Sequence, residues 1–544
     1  MNSTTTANKN VLVMQSGGPT PVMNRSLLGV VRETCEREGY GAIYGARHGL
    51  DGLLSDNLTD LAGHSRTAWE RIGRTPGAAL GSSRRRLKDA DVPTALDVLS
   101  KRGIAYLFVI GGNDSTETCH RLSVASRDAG YELAAIAIPK TIDNDLVETD
   151  HTPGYGSAAR FVALAAMGAG RDAEAMGRVY EAHPADLDVG FFYAESLMLL
   201  EPRRGNWDIE RPEIQRIHGI LEEVLARDIR HPGSCHLYIH ATESTTQPNK
   251  AEACADLLGE AIPGGSHINH MPSHTYNQVG RWGDGVRANQ RAWHSDQAAA
   301  YGEGFAIYTS HNLHMLLFAA SNDGQGAVAI QAGADYTNAT GGAQYYEVLT
   351  RVRFGRFDDI LAMESDGTQN PIFKGFWDFG QGYAHLRAGH VDVARGFLEE
   401  IEEGRGSARE GAQFRGHSAS DLLGIVWGIL DGEIAREEGR TDQAIAAFER
   451  AVAIEDGLRY DEPEPLNFSV RDWLGAILLE GDRPAEAEAV YRAGVDDHPF
   501  NGWSLFGLEQ ALRAQGKVGE AEEIAKIFET SWARSDVWIR SSRF

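Results

Sequence analysis

Short apolar runs alternate with stretches of helical period through the first third of the chain, and helical period alone governs the rest. Four runs read as strands: 11–14, 41–46, 105–110 and 133–138. Between them, Met23–Arg37 and Ser115–Ala129 space their apolar residues for one helix face. Strand–helix alternation of this kind predicts an α/β lobe with a mainly parallel sheet. From about Val179 onward, apolar residues recur every three to four positions, and Gly or Pro punctuates helix pairs. The pattern divides the chain into a polar tail (1–9), an α/β lobe (10–178), a helical region with histidine-rich segments (179–355) and a helical-repeat array (356–544).

The repeats are clearest near the C-terminus. Trp473-Leu474-Gly475 opens a helix, Gly481 breaks it, and Ala485–Tyr491 forms its partner, with Pro499 at the end. Trp503 to Leu508, Ala511-Leu512, Gly516 and Ala521 repeat the scheme. Gln381–Phe397 and Asp431–Ala451 carry the same grammar of glycine turn, alanine and phenylalanine. The spacing approaches the tetratricopeptide period of ~34 residues, in which stacked helix pairs bury a continuous core.

Chemistry concentrates where the predicted strands end. Gly17-Gly18 closely follows the first, and Gly111-Gly112 follows the third. The fourth leads into Pro139-Lys140-Thr141-Ile142-Asp143-Asn144-Asp145. Glycines at strand ends let the backbone approach a phosphate, and the helix that follows offers a positive N-terminus. Three strand ends converging on one crevice give the usual site of an open α/β sheet. Backbone amides, a lysine and a carboxylate cluster there suit phosphoryl transfer, which depends on positioning and charge neutralisation.

These segments, with Ala79-Leu80-Gly81-Ser82-Ser83-Arg84 between them, resemble the phosphofructokinase family in its diphosphate-dependent branch. The likeness covers roughly Asn10 to Arg178. It implies Asp143 as the base that activates the sugar 1-hydroxyl, with Thr141 and Asp145 beside it. Gly17, Gly18, Arg84, Gly111 and Gly112 would surround the phosphates, and Asn113 would stand at the magnesium-linked position. The resemblance also implies Mg²⁺, with diphosphate or ATP as phosphoryl donor. Asp114 stands where ATP users keep a small residue, and Lys140 where diphosphate users place a cation. In Arg171 to Arg178, Met176 and Arg178 match positions that hold the sugar phosphate. The likeness then stops, short of the half that brings most of the sugar-phosphate contacts, so ligand binding with weak turnover is expected.

Glu195–Ala319 resembles a bacterial tetratricopeptide-like family of unassigned activity, through His236 to Glu243, His267 to Tyr276 and His311 to His314. His236/His240 and His270/His274 are each four apart, on one helix face if those stretches are helical, although Pro272 requires a first-turn position. Such pairs chelate metals, with Glu243 as a third ligand. They equally suit a buried polar network or a groove for a peptide.

The chain has 544 residues and a net charge of −25. That balance argues against nucleic acid and anionic membrane surfaces as partners. No apolar run approaches the ~20 residues of a membrane span. Cys35, Cys119, Cys235 and Cys254 read as separate thiols of a reducing compartment. A cytoplasmic phosphotransferase is therefore expected, binding a phosphorylated small molecule in the lobe and a protein or peptide partner in the repeat groove, with room for a homo-oligomer. The alternative is a non-catalytic tetratricopeptide-repeat interaction scaffold.

Overall fold

The computed structural model describes residues 9–83, 85–141, 151–202, 205–301, 306–408 and 411–544. Residues 1–171 and 172–544 form two compact units, and the helix Tyr155–Ala182 carries the chain from one to the next.

In the first unit, five strands lie in the order β3-β2-β1-β4-β5. They are β1 (Lys9–Gln15), β2 (Tyr40–Ala46), β3 (Leu58–Asp60), β4 (Ile104–Gly111) and β5 (Ala134–Pro139). All neighbours are parallel except β2 and β3. Four strands stand where the apolar runs predicted them. The antiparallel β3 was not predicted, because Leu58-Thr59-Asp60 is too short to show a period. The central strand β1 is buried on both faces, which is why its sequence is a continuous apolar run. Leu12 and Met14 pack with Leu50, Leu99 and Leu107, while Val11 and Val13 pack with Met23, Leu27 and Trp69. From β1 the chain builds outward first to β2 and later to β4, so the strand order reverses beside the C-terminal end of β1.

The second unit is helical but for a two-residue ribbon, Gln413–Phe414 with His417–Ser418, among the described residues. Its last four helix pairs follow the predicted grammar: Pro371–Arg387 with Val391–Ser407, Ala419–Glu437 with Thr441–Glu455, Arg471–Glu480 with Pro484–Asp497, and Gly502–Ala514 with Val518–Ser531. The pairs begin at 371, 419, 471 and 502, so the steps are uneven; only the last approaches the tetratricopeptide period. The ribbon and a loop at 456–470 fill the longer steps.

Each pair turns by one device. Gly389, Gly439, Asp482 and Gly516 adopt positive φ, and the next residue's amide donates back five residues. Those bonds run from His390 to His385, Arg440 to Ala435, Arg483 to Leu478 and Lys517 to Leu512. In the third pair the left-handed residue is Asp482, one position after the glycine that the sequence singled out. Tyr491 explains two other glycines: a β-carbon on Gly475 or Gly507 would fall 2.3 or 2.1 Å from its ring.

Two tryptophans knit the array. Trp473 Nε1 donates to Tyr383 Oη (3.0 Å), and Trp503 Nε1 donates to the carbonyl of Ser321 (2.8 Å). The C-terminal residues then run back across the pairs. Tyr383 Oη donates to the Phe544 carbonyl (2.9 Å), Ser542 Oγ pairs with Tyr491 Oη (2.8 Å), and Arg543 reaches Glu433 (3.0 Å) and Glu480 (2.9 Å). Beneath them Arg353 and Asp472 form a fully buried ion pair of 2.8 Å, the guanidinium lying 3.8 Å over the Trp503 ring.

Candidate functional site

The ends of β1, β4 and β5 enclose a cavity of about 410 Å³ in the first unit. Gly17, Gly18, Gly112, Asp114 and Lys140, expected around the phosphates, line it together with Asn113, expected at the magnesium-linked position, and Thr141, expected beside the base. Gly17 is held at φ +78, and its amide donates to the Ser83 carbonyl (3.0 Å). A β-carbon there would sit 3.3 Å from Lys140 Nζ, so the lysine head lies directly against the first glycine loop. The backbone amide of Lys140 donates to the Gly111 carbonyl (2.9 Å), which fixes the end of β5 against β4. Gly111 serves the packing behind the cavity: a β-carbon on it would fall 2.2 Å from Ser115 Oγ.

Gly112 is the N-cap of the helix Asn113–Asp128, whose first turn therefore borders the cavity. Asp114 in that turn pairs with Arg86 at 3.1 Å. Arg86, which had no expected role, thereby partly offsets the negative charge of Asp114. Ser83 and Arg85 were also missed. Ser83 Oγ donates to Asp51 (2.6 Å), and Arg85 bridges Asp51 (3.3 Å) and Asp91 (2.8 Å), which ties the lining to its neighbours. Thr141 is buried, its amide donating to the Pro153 carbonyl (3.0 Å). Arg84, Asp143 and Asp145 lie outside the described residues. Met176 and Arg178 fall in the second unit, where Met176 packs against the core around Tyr193 and Ile217, and Arg178 is exposed.

A second constellation lies wholly within the second unit. The helix Pro232–Glu243 carries His236 and His240 on one face, ring centroids 5.0 Å apart. His270 ends the helix Ser266–His270, and Pro272 opens the next, Pro272–Gln278, at its first position. That first-turn position lets His274 come within 4.8 Å of His270, centroid to centroid. His267 and His311, from segments the sequence singled out, complete the group: His267 Nε2 is 3.1 Å from His236 Nε2, and the His311 ring lies 4.8 Å from His270. Glu243 sits between the helices, bonding His240 Nδ1 (2.6 Å) and His274 Nδ1 (2.5 Å). Glu462, from the loop at 456–470, adds a contact of 3.1 Å to His274. No pattern in the sequence pointed to that loop.

Burial, followed by the charge on neighbouring His240, pushes His236 down to about 2. Burial also keeps His270 and His311 well below the usual histidine range. It opposes charge on His274 as well, but Glu243 and Glu462 overcome it and hold that imidazole up to about 10. A second cavity of about 410 Å³ opens beside the cluster, lined in part by Glu243, His274, Tyr460 and Glu462. Cys235 and Cys254 on the adjoining helices form a disulfide, with Cα atoms 4.9 Å apart. This corrects the expectation of four separate thiols; helix packing brings together two cysteines that the sequence leaves 19 residues apart.

The sequence model of the phosphofructokinase family matches residues 10–180. Pyrophosphate–fructose 6-phosphate 1-phosphotransferase of Rhodospirillum rubrum is 42% identical over 188 residues, which cover 35% of this chain and 46% of that protein. Sulfofructose kinase of Alkalicoccus urumqiensis is 34% identical over 259 residues, 47% of this chain and 66% of that protein. Among solved structures, the pyrophosphate-dependent phosphofructokinase of Nitrosospira multiformis aligns with 41% of this chain and 58% of its own, at 28% identity and a TM-score of 0.29. The chain spans under half the length of the first of these relatives.

Proposed function

From an N-terminal segment, residues 10–180, that carries a phosphofructokinase-family domain, we propose that this protein binds diphosphate as phosphoryl donor and transfers its phosphoryl group to fructose 6-phosphate. The observation that carries this reading is the Lys140 ammonium against the Gly17 loop, inside the cavity bordered by Gly112 and a helix N-terminus. Such a point charge, with backbone amides on two sides, suits a compact and highly charged donor. Asp114 opposes a longer polyphosphate, less strongly than its charge alone implies because Arg86 is paired with it.

Asn113, Asp114 and Thr141 offer oxygen donors to a hard cation, so the lining fits magnesium. A bound magnesium ion supplies neutralisation of phosphate charge. Asp143 would take the proton of the sugar 1-hydroxyl, worth ~10²–10⁴-fold once the acceptor is in place. Placing the acceptor matters more, up to ~7–11 kcal/mol, and the match to the family as a whole ends at residue 180. Binding therefore should outlast turnover.

The test pairs calorimetric titration of diphosphate and of ATP with a coupled assay of fructose 1,6-bisphosphate formation, run beside Asp143→Asn. Diphosphate binding ahead of ATP, with slow turnover abolished in Asp143→Asn, is the expected result. A preference for ATP, or turnover indifferent to Asp143, overturns the reading. The alternative of a scaffold with a peptide in the repeat groove has less support, because the protein's own residues 542–544 already contact helices of three successive pairs.

A further inference from the structure

The histidine cluster of the second unit shows a pattern that hydrogen bonding alone does not explain. Both ring nitrogens of His270 are buried without a hydrogen-bond partner, and so is Nε2 of His274. A buried polar group left unmet carries its full desolvation penalty. Three such atoms converge among further imidazoles, and neutral His270 has one buried lone pair among them with nothing bound to it.

We propose that this cluster is a divalent transition-metal centre for two ions, one held by His236, His240 and His267, the other by His270, His274 and His311. In each trio one ligand atom per residue lies within 4.8 Å of the others. The His236 Nε2–His267 Nε2 separation of 3.1 Å is close to the spacing, roughly 3.3 Å, of two nitrogens bound at ~2.0–2.1 Å to one tetrahedral ion.

Glu243 supplies the supporting shell. Its two oxygens hold Nδ1 of His240 and of His274, one from each trio, which leaves both Nε2 atoms for metal. A carboxylate bonded to the far nitrogen of a ligating histidine is the usual way that ring tautomer and orientation are fixed. Here one carboxylate does so for both ions, and Glu462 reinforces it at His274.

Six imidazoles without thiolates select borderline ions of the Zn²⁺, Co²⁺ and Cu²⁺ type over Mg²⁺ or Ca²⁺. Three protein ligands leave each ion a position for water or a substrate atom. Glu243 and His274 also line the second cavity of about 410 Å³, so a small molecule would have room beside the centre. All six histidines belong to the second unit, so the centre does not depend on activity in the phosphate lobe.

The experiment uses the full chain, stripped with a chelator and titrated with Co²⁺, then with Zn²⁺ in competition. Equilibrium dialysis with metal analysis counts the ions, and visible absorption of Co²⁺ reports imidazole ligation. Two tight equivalents are expected, displaced by Zn²⁺ and untouched by excess Mg²⁺. His236→Gln and His270→Gln should each remove one equivalent. Glu243→Gln should keep both but weaken them by about 10- to 100-fold. Should His270→Gln lose helix content by circular dichroism, His311→Gln at the edge of the same trio takes its place. Fewer than two tight equivalents, or binding unchanged in these variants, overturns the proposal.

Discussion

The two units build their candidate sites from opposite materials. In the first, strand ends and glycine loops bring backbone amides to a cavity, and Lys140 adds a charge. In the second, side chains from four helices converge, and the backbone only carries them. A backbone-built site needs particular residues at fixed, consecutive positions, so it leaves a motif. A side-chain site needs only that helices pack in the right register, and its members scatter along the sequence.

The largest expected effect tests whether the two regions are separable. Asp472→Ala leaves the Arg353 guanidinium buried without its partner, and should destabilise the helical unit by about 3–5 kcal/mol. Urea unfolding followed by circular dichroism should show that loss, while diphosphate binding in the lobe stays within error of wild type. Loss of both together would join what the comparison divides.

A smaller effect belongs to the lobe. Lys140→Met removes a charge-assisted contact and should weaken diphosphate binding by about 1.5–3 kcal/mol, roughly 10- to 100-fold, with helix content unchanged. Gly17→Ala comes next. Its positive φ and the nearby lysine head should reduce the stability of the loop by about 1–2 kcal/mol and weaken the same binding less than Lys140→Met does. Stronger binding in the alanine variant would show that the loop is not the phosphate cradle.

The smallest effect is a surface one in the repeats. Lys517 bonds Glu488 (2.5 Å), as do Gln515 (2.7 Å) and Arg492 (2.8 Å), and these partners outweigh burial to hold its carboxyl down at about 2. A depressed carboxylate stabilises the fold above its unfolded value of 4.5, and that contribution disappears as pH falls through about 2. Glu488→Gln should cost roughly 0.5 kcal/mol at neutral pH, less in high salt, and make the acid limb of a thermal-melting profile shallower.

How far each unit could be read in advance follows from the same contrast. The strands at 11–14 and 105–110 were legible because burial on both faces demands unbroken apolar runs. The glycine pairs were legible because close backbone approach excludes other residues. Of the histidine cluster, the helical pairs and Glu243 showed, and His267 and His311 only as members of segments that carry a resemblance. The place of Glu462 depends on how the loop at 456–470 packs against helices some two hundred residues earlier. The disulfide was hidden for the same reason. The repeat grammar held in the third pair as well: Gly481 caps the helix where the sequence has it break, and Asp482 takes the left-handed turn just after it.

The returning C-terminal residues give the repeat array an unusual mechanical character. A stack whose members touch only their neighbours can fray from either end, one pair at a time. Here Tyr383, Glu433, Asp472 and Tyr491, from three successive pairs, are fastened to the last three residues of the chain. Residues 534 and 536 are in turn fixed to Asp323 and to the amides of Gly326 and Ala327. Such a lacing turns local contacts into long-range ones, which slows folding but makes partial opening costly. The array should therefore come apart as a single block rather than peel, and cutting the lace after residue 531 should restore peeling, visible in hydrogen exchange as protection that declines from one end.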